Sequence, residues 1–177
     1  PTGGITELTD WSREMHYHNI TKDDMLNGDG LRVVLWTAGC KHGCKGCHNP
    51  VTWDADGGIP FDEAAWQEIA KELEKGYVSG ITFSGGDPLY PGNREETGRL
   101  IRKVKQEFPD KTIWLYTGYT WEEINDLPYI GLIDVLVDGR FEEELADSSL
   151  KWKGSSNQRV IRVKKSMEAK RVILHQE

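Results

Sequence analysis

Long hydrophobic runs are missing from this chain. No apolar stretch approaches the roughly 20 residues needed to span a bilayer, and the N-terminus lacks the basic-then-apolar order of a secretion signal. No membrane partner is expected, and the cytoplasm is the expected location. Positive charge is outnumbered, 22 Lys and Arg against 29 Asp and Glu for a formal net charge of −7. No basic run of phosphate-binding density stands out, so direct nucleic-acid binding is not expected. Cysteine is scarcest: Cys40, Cys44 and Cys47 are the 3 in the chain. An odd, tightly clustered set excludes a disulfide framework, and in a reducing compartment such a cluster reads as metal-binding.

What is present describes a folded chain. Hydrophobic residues make up 37%, with 7 Trp, 6 Tyr and 4 Phe, too much apolar and aromatic content for disorder. At 177 residues, one domain spanning 1–177 is expected. The segments 1–26 and 165–177 show no clean period and read as an N-terminal extension and a C-terminal tail; Arg171–Leu174 suits strand or helix equally.

Between them, strand and helix patterns alternate. A β-rich run at 31–38 leads into the cysteine loop 39–49, followed by an amphipathic helix from Asp62 to about Lys75. A second round has a strand at 80–84, the turn Gly85-Gly-Asp-Pro88 and a helix at 94–108. In a third, a strand at 112–116 meets the turn Thr117-Gly-Tyr119 and a short helix opened by a capping-box match at Thr120 and Glu123. A fourth strand at 132–137 runs into Asp138-Gly139, and 158–163 suits an edge strand. The class is α/β with a mainly parallel sheet. Eight such units need about 250 residues, so a partial, open (β/α) barrel is expected. The segments after the strands should converge on one rim.

Three thiols at C-x3-C-x2-C wrap one face of a small metal centre, and soft sulfur favours iron–sulfur clusters or zinc. Three is one ligand short of closure, which leaves a coordination site open for chemistry. The alternative is a non-catalytic Cys3His zinc-binding module with His48 or His42 as fourth ligand. It is disfavoured because zinc modules usually bring a second ligand pair at a distance. Gly28-Asp29-Gly30 reads as a tight turn, not a dinucleotide loop. Trp36, Phe83 and Trp114 read as core, and His16 and His18 as solvated or capping.

Cys40-Lys-His-Gly-Cys44-Lys-Gly-Cys47 resembles the cluster signature of the radical S-adenosylmethionine superfamily, and Ser84-Gly-Gly-Asp-Pro88 resembles its glycine-glycine-acid turn. More narrowly, Asn27-Gly-Asp-Gly-Leu-Arg32, Asn49-Pro-Val-Thr-Trp53, Tyr116-Thr-Gly-Tyr119, Asp134-Val-Leu-Val-Asp-Gly-Arg-Phe141 and Gly154-Ser-Ser-Asn-Gln-Arg159 are similar to the activating proteins of anaerobic ribonucleotide reductase. The likeness spans about Met15 to Ile161.

That resemblance implies an iron–sulfur oxidoreductase with a 4Fe-4S cluster on Cys40, Cys44 and Cys47. It implies reductive cleavage of S-adenosylmethionine to a 5′-deoxyadenosyl radical, which places a glycyl radical on the large subunit of an anaerobic (class III) reductase. A one-electron donor such as a flavodoxin would complete the set of partners. Carried over by motif, Asp87 accepts hydrogen bonds from the cofactor's amino group, Gly85 and Gly86 allow close backbone approach, and Ser84 of the same turn is a further cofactor-binding candidate. Thr117 and Asp138 fall near the methionine carboxylate and Arg140 neutralises it. Two positions depart from the superfamily pattern: Gly46 stands where an aromatic residue commonly packs on adenine, and Asp87 stands where Glu is more usual. His48 and Tyr119 are the candidates for adenine contact. The alternative within the same chemistry is an activase of another glycyl-radical enzyme, such as pyruvate formate-lyase.

Overall fold

The strand that feeds the cysteine loop sits near the middle of one seven-stranded sheet. The computed structural model describes residues 11–175. Its strands are β1 (His16–Asp24), β2 (Leu31–Thr37), β3 (Ile59–Pro60), β4 (Val78–Gly85), β5 (Thr112–Tyr116), β6 (Val135–Asp138) and β7 (Arg159–Arg162), in the order β3-β1-β2-β4-β5-β6-β7. The helices are α1 (Glu63–Leu73), α2 (Arg94–Glu107), α3 (Trp121–Ile124) and α4 (Val163–Ala169).

β2, β4, β5 and β6 run parallel, joined by helical crossovers as the alternating pattern requires. The flanks reverse. β1 pairs antiparallel with β2 and with β3, and β7 antiparallel with β6. The α/β sheet is therefore open, as expected, but mixed and only partly parallel, where a partial barrel with a mainly parallel sheet was expected. The physical reason lies in the connections: a tight turn at 25–30 and a loop at 139–158 lacking an α-helical crossover return the chain antiparallel.

The N-terminal segment, which shows no clean period in the sequence, joins the sheet. Residues 16–24 form a strand, and Trp11 and Met15 pack in the core. The tail likewise contributes α4, and Leu174 bridges Ile161. Residues 1–10 and 176–177 lie outside the described part.

The helices form where the pattern places them. Asp62 caps α1 by accepting from the Ala65 N–H at 3.0 Å, and α1 buries Trp66, Ile69 and Leu73. α3 opens on the capping box of Thr120 and Glu123. Because side chains alternate along each strand, Leu115 and Leu136 enter the large core beneath the helices, whereas Trp114, Val135 and Val137 join Val160 on the other face. Tyr116 and Trp152 close over that second cluster.

The second face also buries a cation. Arg32 is fully buried, and its guanidinium donates to Thr82 Oγ1, Thr112 Oγ1, Asp29 O, Ile81 O and Thr112 O at 2.8–2.9 Å. Its five N–H groups meet five acceptors, as burial of so polar a group demands. Burial still pushes its pKa down to about 10, leaving it charged at neutral pH. These bonds tie β2, β4 and β5 to the turn at 25–30, which carries Asn27 to the site.

Candidate functional site

The C-terminal ends of β2, β4, β5 and β6 surround a cavity of about 330 Å³. Its wall includes Cys40, Cys44 and Cys47 with His42 and His48, faced by Ser84, Gly85 and Gly86, then Thr117 and Gly118, then Gly139, Arg140 and Phe141. All four post-strand segments thus reach one rim, as parallel strands of common direction require.

The cysteine loop is anchored at both ends. Gly39 N–H donates to Thr52 O at 2.7 Å and Cys40 N–H to Trp53 O at 3.1 Å, while buried Asn93 holds Ala38 O at 2.7 Å. The three thiols are free and half-buried. Burial pushes the Cys40 thiol above its ordinary range, against the pull of the His42 backbone N–H. Burial also raises Cys44, against the Phe141 backbone N–H. Asn49 N–H reaches Cys47 Sγ at 3.4 Å. Among the described residues, no three Cys, His, Asp or Glu side chains gather as the ligands of a single ion do; the thiols instead sit around the cavity wall.

The glycine pair serves the protein before any ligand. Gly85 has φ +107°, and a Cβ there would fall 2.4 Å from Thr37 N; at Gly86 it would fall 2.6 Å from both Gly39 O and Thr52 O. Only glycine lets the turn lie this close to the cysteine loop. The gap is bridged by Gly86 N–H to Thr37 O at 2.8 Å and Asp87 N–H to Gly39 O at 2.7 Å.

Asp87 lies behind this turn, 1% exposed and off the cavity wall. Its Oδ1 accepts from Leu89 N–H at 2.8 Å. Its Oδ2 meets His42 Nε2 at 2.6 Å, Thr117 Oγ1 at 3.0 Å and Gly118 N–H at 3.0 Å. All four of these contacts are with the protein's own groups. Asp138 is likewise off this wall and buried; it accepts from Trp121 N–H at 2.8 Å and from Arg159 at 2.6 and 3.1 Å. Arg159 extends to Glu122 at 2.8 Å, which holds the Glu122 carboxyl below its usual range.

Of the remaining expected residues, Ser84, Thr117, Arg140 and His48 line the cavity. His48 stacks edge-on to Phe141 at 5.1 Å. Tyr119 is not on the wall; it packs against His42 at 4.7 Å and under Arg94 at 4.9 Å. Trp36, read from the sequence as core, lines the cavity and donates to Thr21 Oγ1 at 3.0 Å. Phe83 and Trp114 are core as expected.

Asn27, Tyr116, Phe141 and Gln158 reach the wall without having been singled out as site residues. Their signal was their membership in the quoted motifs. Gln158 shows why the Gly154–Arg159 motif matters: its Oε1 accepts from Gly154 and Ser155 N–H at 2.9 and 3.1 Å, and its Nε2 donates to Gly139 O at 3.0 Å.

A family model described as a 4Fe-4S single cluster domain matches residues 26–161. A phage T4 protein named anaerobic ribonucleoside-triphosphate reductase-activating protein is 47% identical over 146 residues, covering 82% of this chain and 93% of its own length. Proteins of the same name from Haemophilus influenzae and Escherichia coli K12 are each 43% identical, covering 85% and 81% of this chain and 99% and 96% of theirs. With relatives of 43–47% identity covering most of both chains and a family model matching residues 26–161, the chain belongs to the family of anaerobic ribonucleoside-triphosphate reductase-activating proteins.

Proposed function

We propose that this chain activates an anaerobic ribonucleotide reductase by installing a glycyl radical in its large subunit, working as a radical S-adenosylmethionine enzyme in the cytoplasm. The observation that carries the proposal is the cavity in which three thiols, one short of a closed metal site, face the glycine turn across parallel strand ends. The names of the relatives supply the target, and the matched family model supplies the kind of cluster.

The residues suit such a group. Three soft donors with backbone N–H groups directed at sulfur match what a cluster needs, because N–H···S bonds and burial tune its potential. Cys40, Cys44 and Cys47 would hold a 4Fe-4S cluster, and Ser84, Gly85, Gly86, Thr117 and Arg140 would hold S-adenosylmethionine. When bound, the pair supplies one-electron cleavage of the sulfonium and with it hydrogen-atom abstraction. The chain's own part is placement. The exposed guanidinium of Arg140 on the wall offers charge to a carboxylate. Gly85 and Gly86 keep the turn flush with the cysteine loop, and Asp87 fixes the turn from behind. An external one-electron donor, such as a flavodoxin, completes the cycle.

Anaerobic reconstitution tests this reading. The expected protein carries about four iron and four sulfide on three cysteines, and under dithionite forms 5′-deoxyadenosine from S-adenosylmethionine. Co-expressed with an anaerobic reductase it yields the doublet of a glycyl radical in electron paramagnetic resonance, and with pyruvate formate-lyase none. One zinc in place of iron, or a cluster that leaves the sulfonium intact under reductant, overturns the proposal.

A further inference from the structure

The arm between the first two cysteines lies mostly at the surface. Lys41, over the Tyr90 ring at 5.8 Å, and Gly43 are exposed, and Cys44 at its end is half-buried. His42 alone on this arm turns inward, with a side chain 5% exposed. Burying an imidazole costs free energy unless its nitrogens are paired, and here Nε2 is paired with Asp87 Oδ2 at 2.6 Å. That oxygen also gathers Thr117 Oγ1 and Gly118 N–H, so three post-strand segments meet at one atom.

The fit around the ring is close. A Cβ on Gly118 would fall 2.4 Å from His42 Cδ2, and Tyr119 packs edge-on at 4.7 Å. Nδ1 is buried without a partner among the described residues, although the ring lines the cavity. The buried ring of His42 therefore holds its arm through one charge-assisted contact at a single nitrogen, which is a way to fix a geometry and a poor way to gain stability.

We propose that His42 is a positioning residue. Through Asp87 it clamps the arm between Cys40 and Cys44 to the glycine turn, so that cluster ligands and cofactor turn keep one relative placement. The proposal deepens the functional reading above and rests on it. His42 also explains why Asp87 is turned away from the cavity: its carboxylate organises the loops that surround the ligand.

The test compares His42→Ala with His42→Gln, whose amide nitrogen can replace Nε2 as donor to Asp87. In the metal-free protein, alkylation of Cys40 and Cys44 by iodoacetamide, read by mass spectrometry of the folded chain, should quicken about tenfold in His42→Ala, the weight of one charge-assisted bond. His42→Gln should remain near wild type. In the reconstituted protein, the S-adenosylmethionine concentration that half-shifts the spectrum of the reduced cluster should rise by about the same factor in His42→Ala, with rescue in His42→Gln. Alkylation rates in His42→Ala within twofold of wild type overturn the clamp, as does an unchanged half-shift concentration. Should His42→Ala fail to fold, the clamp is overturned if His42→Asn, which is too short to reach Asp87, matches His42→Gln in both readouts. Failure of the wild type to take up cluster or cofactor defeats the functional reading instead, and the metal-free rates still decide the clamp.

Discussion

Asp87→Asn separates a carboxylate kept for a ligand from one used by the fold. In the native site Oδ2 faces His42 Nε2, Thr117 Oγ1 and Gly118 N–H, while Oδ1 faces Leu89 N–H. An amide has one acceptor oxygen. With that oxygen in the Oδ2 position, its NH2 opposes the Leu89 N–H; with the amide reversed, it opposes Gly118. Either way a charge-assisted bond is lost, worth about 1.5–3 kcal/mol, and a buried N–H is left unpaired at about 1–3 kcal/mol. Local relaxation recovers part, so a net loss of about 2–4 kcal/mol is expected. Urea unfolding of the metal-free protein, followed by tryptophan fluorescence and far-ultraviolet dichroism together, measures it. Were Asp87 reserved for the amino group of a bound molecule, removing its charge in the ligand-free protein would cost nothing or stabilise. A variant within about 0.5 kcal/mol of wild type refutes the argument.

Two other measurements follow from the same geometry. Arg32→Met removes five buried donors from β4, β5 and the turn at 25–30; relief of the buried charge offsets only part of the loss, so destabilisation by about 2–4 kcal/mol is expected in chemical unfolding, and a variant as stable as wild type contradicts it. In the metal-free chain, burial favours the neutral thiol at Cys40 and Cys44. Their alkylation at pH 8 should run several-fold, roughly 3 to 10, slower than that of free cysteine and still be climbing beyond pH 9. The folded state keeps protons that the unfolded chain has released, so the stability these thiols contribute is full below their unfolded pKa and fades as pH rises through the folded one. An alkylation profile that levels off below pH 8.5 contradicts the assignment.

Much of this architecture was legible in the residues. The strands at 78–85 and 112–116 and the helices at 63–73 and 94–107 fall where apolar period and caps put them, because each buries one continuous stripe against a core. β1 was hidden for the opposite reason. His16–Asp24 is largely polar and carries register shifts between Tyr17 and Asn19 and between Thr21 and Asp24, so pairing with β2, and not a hydrophobic period, makes it a strand.

Sequence alone determined the chemistry available. Three cysteines in a loop beyond a strand, followed one β-α unit later by a glycine-glycine-acid turn, are local features whose meaning lies in residue type and spacing. The tertiary structure decided what those residues face. Asp87 and Asp138 turn away from the cavity to hold loops, Trp36 comes to its wall, and His42 becomes the contact between two segments more than forty residues apart. A side chain's direction depends on which neighbours compete for its hydrogen bonds. Those neighbours come from distant parts of the chain, so only the assembled sheet could settle the competition.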